Sequence, residues 1–97
     1  MIYECLGIGQ ANAVTASKLA EALGMSVRQV QAAVRRERLE GRRICATKSY
    51  PPGLFIADDP MELERYRNSL DSELRNLRKT REAVADMLDA MTGQVRL

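Results

Sequence analysis

Arg28, Gln31 and Arg35 stand three and four residues apart in a stretch, residues 27–50, that carries seven Lys or Arg against two Glu. A guanidinium grips a guanine edge or a phosphate through two parallel hydrogen bonds, and a glutamine amide brackets the edge of an adenine. At that spacing the three side chains share one side of a helix, with Arg36 beside them. Ala32 lets a helix backbone approach closely and can touch a thymine methyl. Residues 1–26 hold two acidic groups against one basic, and residues 51–97 nine against seven, so the basicity of a chain of net charge +2 is gathered in one segment. Such clustering is the footprint of a phosphate-facing surface; the competing reading is an ordinary solvated face, where Arg and Gln are common.

Other chemistries find little support. The chain has no His, no glycine-rich phosphate loop, and no Ser or Cys beside a plausible base, so no enzyme, cofactor or metal site is expected. Cys5 and Cys45 lack metal-ligand spacing and are expected to be small apolar side chains in a reducing compartment. No run approaches a membrane span, and the N-terminus lacks the pattern of a signal peptide, which together predict a cytoplasmic protein.

The elements that must position the basic face are well punctuated. Residues 2–8 suggest a short first helix ended by Gly7 and Gly9, with 10–14 as a connector. Thr15 is placed to cap a helix over 16–23, with Leu19, Ala20 and Leu23 inward and Gly24 as its left-handed stop. Ser26 and Gln29 form a Ser-x-x-Gln capping box that opens a second helix running to about residue 40. Ser26 can also lend its backbone amide to a phosphate, and Gln29 is counted with it at the candidate interface. Met25, Val27, Val30 and Val34 are expected to face inward, leaving Arg28, Gln31, Ala32, Arg35 and Arg36 outward. Two helices joined by so tight a turn should cross steeply, as in a helix-turn-helix.

Residues 42–48 then alternate like a half-buried strand, Ile44 and Ala46 against Cys45 and Thr47. Pro51, Pro52 and Gly53 break it, and 54–57 is a second apolar strand, with Leu54, Phe55 and Ile56 assigned to the core. The hairpin is the wing of a winged helix-turn-helix, with Arg42, Arg43, Lys48 and Tyr50 placed to reach flanking backbone or minor groove; alternatively it only lids the core. Asp58 or Asp59 caps the last helix, with Glu62 completing a capping box if Asp59 is the cap. In that helix Leu63, Leu70, Leu77, Val84 and Met91 recur every seven residues, flanked by Tyr66, Leu74, Met87 and Leu88. Glu73 and Thr80 interrupt the companion seam. The pattern predicts pairing of two copies through Leu63, Tyr66, Leu70, Leu74, Leu77, Val84, Leu88 and Met91, against the alternative of a helix folded back on its own domain. Mixed charges on its flanks suit a solvated coiled coil.

The fold class is thus mostly α with a small β-hairpin, a winged helix-turn-helix over 1–58, a dimerisation helix over 59–92 and a tail over 93–97. The succession Asn12-Ala13-Val14, Leu19-Ala20 with Leu23-Gly24-Met25-Ser26, Arg28-Gln29-Val30, Glu37-Arg38 with Gly41, and Ile44-Cys45 resembles small winged-helix proteins encoded by phages and prophages of Gram-positive bacteria. Gly53-Leu54-Phe55-Ile56 and Glu62-Leu63-Glu64-Arg65-Tyr66 extend the resemblance, which spans roughly residues 10–85. It implies DNA binding without naming a target. One departure is the wing, where those proteins often carry Gly-Tyr or Gly-Phe and this chain has Gly53-Leu54 after two prolines. The expectation is a homodimer on double-stranded DNA that regulates phage or mobile-element genes. The alternatives are a phage packaging, excision or replication accessory with a protein partner, and an interaction module that binds no DNA.

Overall fold

The computed structural model describes residues 1–93, so that residues 94–97 of the expected tail lie outside the described residues. Its contacts divide the chain into two units, Met1–Tyr66 and the part from Arg67 onward.

The first unit begins on two short 3-10 turns, Tyr3–Cys5 and Gln10–Asn12, rather than on one helix and a plain connector. Gly9, at φ 83°, and the close approach of Gly7 to Asn12 end helical continuation there. The stretch between and after the turns runs along the hairpin instead. Gly9 N–H donates to the Ile56 carbonyl at 2.8 Å and Ile56 N–H to Gly7 at 2.9 Å, while Val14 and Leu54 exchange bonds of 3.0 and 2.7 Å. These bonds occupy a strand edge that would otherwise present unpaired donors and acceptors.

Helix α1 (Ala16–Leu23) starts where Thr15 Oγ1 accepts the Lys18 N–H at 3.2 Å and stops at Gly24, which adopts the left-handed conformation at φ 64°. Helix α2 (Val27–Leu39) opens on a complete capping box: Ser26 Oγ accepts Gln29 N–H at 3.1 Å and Gln29 Oε1 accepts Ser26 N–H at 2.8 Å. Leu19 and Ala20 of α1 and Val30, Ala33 and Val34 of α2 are buried together, with Met25 of the turn packed against them. Two expected core residues are not in the core. Leu23 is 39% exposed and Val27 38% exposed, because each is the terminal residue of a helix beside the turn, where neither helix can cover the other's end.

Strands β1 (Ile44–Thr47) and β2 (Gly53–Ile56) form an antiparallel hairpin in which Ile44 faces Ile56 and Cys45 faces Phe55. The half-buried strand expected from the alternation is corrected here, since both faces of the base are covered. Ile44, Leu54 and Ile56 join the helical core with Ile2 and Leu6. Cys45, Phe55 and Ala57 form a second cluster under Ala13 and Tyr66. Of the two cysteines read as small apolar side chains, Cys5 is exposed and Cys45 is fully buried.

Helix α3 (Pro60–Thr92) is continuous across both units. Asp59 Oδ1 caps it by accepting Glu62 N–H at 3.1 Å. Glu62 does not return to Asp59 as a capping box would; its carboxylate reaches one residue further, to Asp58 N–H at 2.7 Å, and across to Gln10 N–H at 2.9 Å. Together with Tyr66 over the second cluster, this makes the opening turns of α3 part of the first unit, which runs to Tyr66. From Arg67 on, Leu70, Leu74, Leu77, Val84, Met87, Leu88 and Met91 are all exposed. Among the described residues, no helix is long and apolar enough to cross a membrane.

Candidate nucleic-acid interface

Helix α2 is divided lengthwise. One stripe, Val30, Ala33, Val34 and Glu37, is buried. The other side carries Arg28, Gln31, Ala32, Arg35 and Arg36, all exposed, with Ser26 and Gln29 exposed at its mouth. The division follows from periodicity, because residues 30, 34 and 37 return to one meridian on successive turns while 28, 31 and 35 trace the opposite one. Gln29 is not free as a whole, since its Oε1 is held in the capping box. Arg36 Nε lies 4.0 Å from Glu40 Oε1 with both side chains largely in water, a pair too exposed to hold the guanidinium in place.

The remaining candidates continue the basic surface from the end of α2 through the hairpin. Arg42 and Arg43 are exposed, and the Arg42 guanidinium lies over the Tyr3 ring at 4.8 Å from its centre, which steadies it without removing its charge. Lys48 and Tyr50 stand at the hairpin tip, where Tyr50 is 93% exposed and joined to Pro51 by a cis peptide bond. A bare phenol of that size is the kind of group that can lie against a sugar or base edge.

One arginine of the basic segment belongs to the body. Arg38 is half-buried, donates from Nε to the Ile44 carbonyl at 2.8 Å and lies over the Tyr66 ring at 4.7 Å. Tyr66 is therefore set apart from the other residues proposed to pair α3 with a second copy, since its ring already roofs its own unit. Glu37 is the other functional-looking group that sequence reasoning missed. It is buried, and its carboxylate accepts the backbone N–H of Ile2 at 3.0 Å and of Tyr3 at 2.8 Å. Its signal was present in the spacing, three residues after Val34 and seven after Val30 on the inward stripe. Nearby, burial pushes the Cys45 thiol above its ordinary pKa, the Glu62 carboxylate adds to the rise, and Arg38 offsets part of it.

No protein-family model, curated protein or solved structure matches this chain.

Proposed function

We propose that this chain is a sequence-specific double-stranded-DNA-binding protein of the winged helix-turn-helix type, working in the cytoplasm as a homodimer that regulates genes of phage or mobile-element origin. The observation that carries the reading is the split of α2. Its valines and Glu37 anchor the reverse side, and Arg28, Gln31, Ala32 and Arg35 stand free on the other, the residue types that read major-groove edges. The hairpin, with Arg42, Arg43, Lys48 and Tyr50 exposed, is the wing that adds contacts to the flanking backbone. The exposed heptad residues Leu63, Leu70, Leu77, Val84 and Met91, with Leu74 and Leu88, are the seam for the second copy. Two-fold symmetry then calls for a palindromic site whose halves lie a whole number of helical turns apart.

The test is selection of bound duplexes from a random pool, with the wild type and with the Arg28→Ala, Arg35→Ala double variant side by side. An inverted repeat enriched by the wild type and lost in the variant supports base readout by α2. Enrichment that survives both substitutions removes α2 from recognition, and affinity that ignores salt removes DNA as the partner.

A further inference from the structure

The pairing helix carries charges as well as leucines, and these fix a direction. If Leu63, Leu70, Leu77, Val84 and Met91 are the d positions of a heptad, the a positions are Arg67, Leu74, Arg81 and Leu88. If they are instead the a positions, d falls on Tyr66, Glu73, Thr80 and Met87. In a parallel, in-register pair each seam residue meets its own copy. The first frame then stacks Arg67 and Arg81 on themselves, and the second stacks Glu73 on itself. Like charges are pressed together in both cases, in the part of the interface where water is excluded.

Reversing one helix removes the conflict. In an antiparallel pair an a residue packs into the layer of a d residue from the other helix. Setting Leu74 beside the partner's Leu77 brings Leu63 to the partner's Leu88, Arg67 to the partner's Val84 and Arg81 to the partner's Leu70. Asp71 and Glu73 flank Leu70 on the two edges of the seam, so Arg81 arrives between two carboxylates, and Arg78 comes to face Asp71 across one edge. The two-fold axis repeats each encounter. Within the described chain the side chains of Asp71, Glu73, Arg78 and Arg81 make no hydrogen bond or ion pair, so all four are open to such partners. The axis of this register falls between residues 75 and 76, beside the midpoint of α3 at residue 76, so the two helices overlap along their whole length.

Resting on the homodimer reading above, we propose that α3 pairs antiparallel with a second copy of this chain, with Arg78 and Arg81 of each helix set against Asp71 and Glu73 of the other. The test is disulfide trapping in the full chain with Cys5 replaced by Ser and the buried Cys45 retained, using Leu63→Cys and Leu88→Cys as separate variants, each alone and then mixed and re-equilibrated. A disulfide needs Cα atoms within about 7 Å, and the two sites are roughly 37 Å apart along one helix. The mixed 63–88 disulfide is expected to dominate, with each homodisulfide below about a tenth of it. Efficient 63–63 or 88–88 linkage, with little mixed product, overturns the antiparallel assignment while leaving the dimer intact. Sedimentation of the unlinked wild type separates the two failures: a species of twice 10.9 kDa is expected, and a monomer overturns the pairing itself and its direction with it.

Discussion

The Arg38 guanidinium lies 4.7 Å from the centre of the Tyr66 ring while its Nε donates to the Ile44 carbonyl at 2.8 Å, so one side chain of α2 ties β1 to the opening turns of α3. Its buried Nη2 has no hydrogen-bond partner among the described residues, and the ring face takes the place of one. Lysine keeps the charge but neither the planar stack nor the directed Nε–H. Arg38→Lys is expected to destabilise the fold by about 1–2 kcal/mol in urea unfolding. In a double-variant cycle with Tyr66→Leu, which removes the ring, the two losses should fall short of adding; full additivity would mean that the stack contributes nothing.

Glu37 presents the sharper case. Its two carboxylate oxygens satisfy the Ile2 and Tyr3 amides in the interior, and a leucine of similar bulk leaves both donors unpaired. A loss of about 2–4 kcal/mol is expected for Glu37→Leu, with early hydrogen exchange at the amides of residues 2 and 3. Unchanged protection of those amides would exclude the carboxylate as their acceptor.

Gly53 sits at φ 129°, and a Cβ there would overlap the Val14 carbonyl, where the N-terminal stretch crosses the hairpin. Gly53→Ala should therefore cost more than about 2 kcal/mol, through backbone strain and loss of the Val14–Leu54 pairing. A thermal midpoint equal to that of the wild type would contradict this contact.

The raised pKa of Cys45 makes a prediction at alkaline pH. Below the ordinary thiol range both folded and unfolded chains hold this group neutral, and its contribution to stability is complete. As pH rises through that range the unfolded chain ionises first, so stability falls until the folded thiol also titrates. Cys45→Ala should flatten the decline between about pH 8 and 10. A thiol reagent should modify one cysteine, Cys5, in the native protein and both in urea. Two fast-reacting thiols in the native state would refute the burial.

For the proposed interface, the arginines and lysine should separate by salt response. Arg43→Ala and Lys48→Ala are expected to weaken all duplexes alike and each to lower the slope of log affinity against log salt by about one. Arg28→Ala and Arg35→Ala should instead cost about 1–3 kcal/mol on the preferred site and little elsewhere. An identical profile for all four would assign the whole surface to phosphate contact.

Much of this architecture was legible in local signals. Thr15, Gly24, Ser26 with Gln29, and the Pro51–Gly53 break each mark an element boundary by a mechanism internal to a few residues, and each boundary falls where the signal stands to within a residue or two. What eluded the sequence depends on partners distant along the chain. Leu23 and Val27 have the right helical phase and lack only a neighbour, which phase cannot report. Gly7 and Gly9 announce a break, but not that the backbone beyond it runs beside Ile56. Glu62 looked local and acts partly at a distance, because Gln10 is 52 residues away. The outward face of α2 was readable, since it needs only the inward stripe to be right, whereas Arg38 was indistinguishable by type from the arginines in water.

Because Glu37 grips main-chain amides, the grip is blind to the side chains that happen to hang there. Ile2 is constrained by the space it fills and Tyr3 by the ring beneath Arg42, and neither is constrained by the carboxylate. Only proline, which has no amide hydrogen to give, is barred from both positions by the bond itself. In any lineage that keeps Glu37, the trace of this contact would be a residue type that never appears, a mark that a search for shared residues passes over.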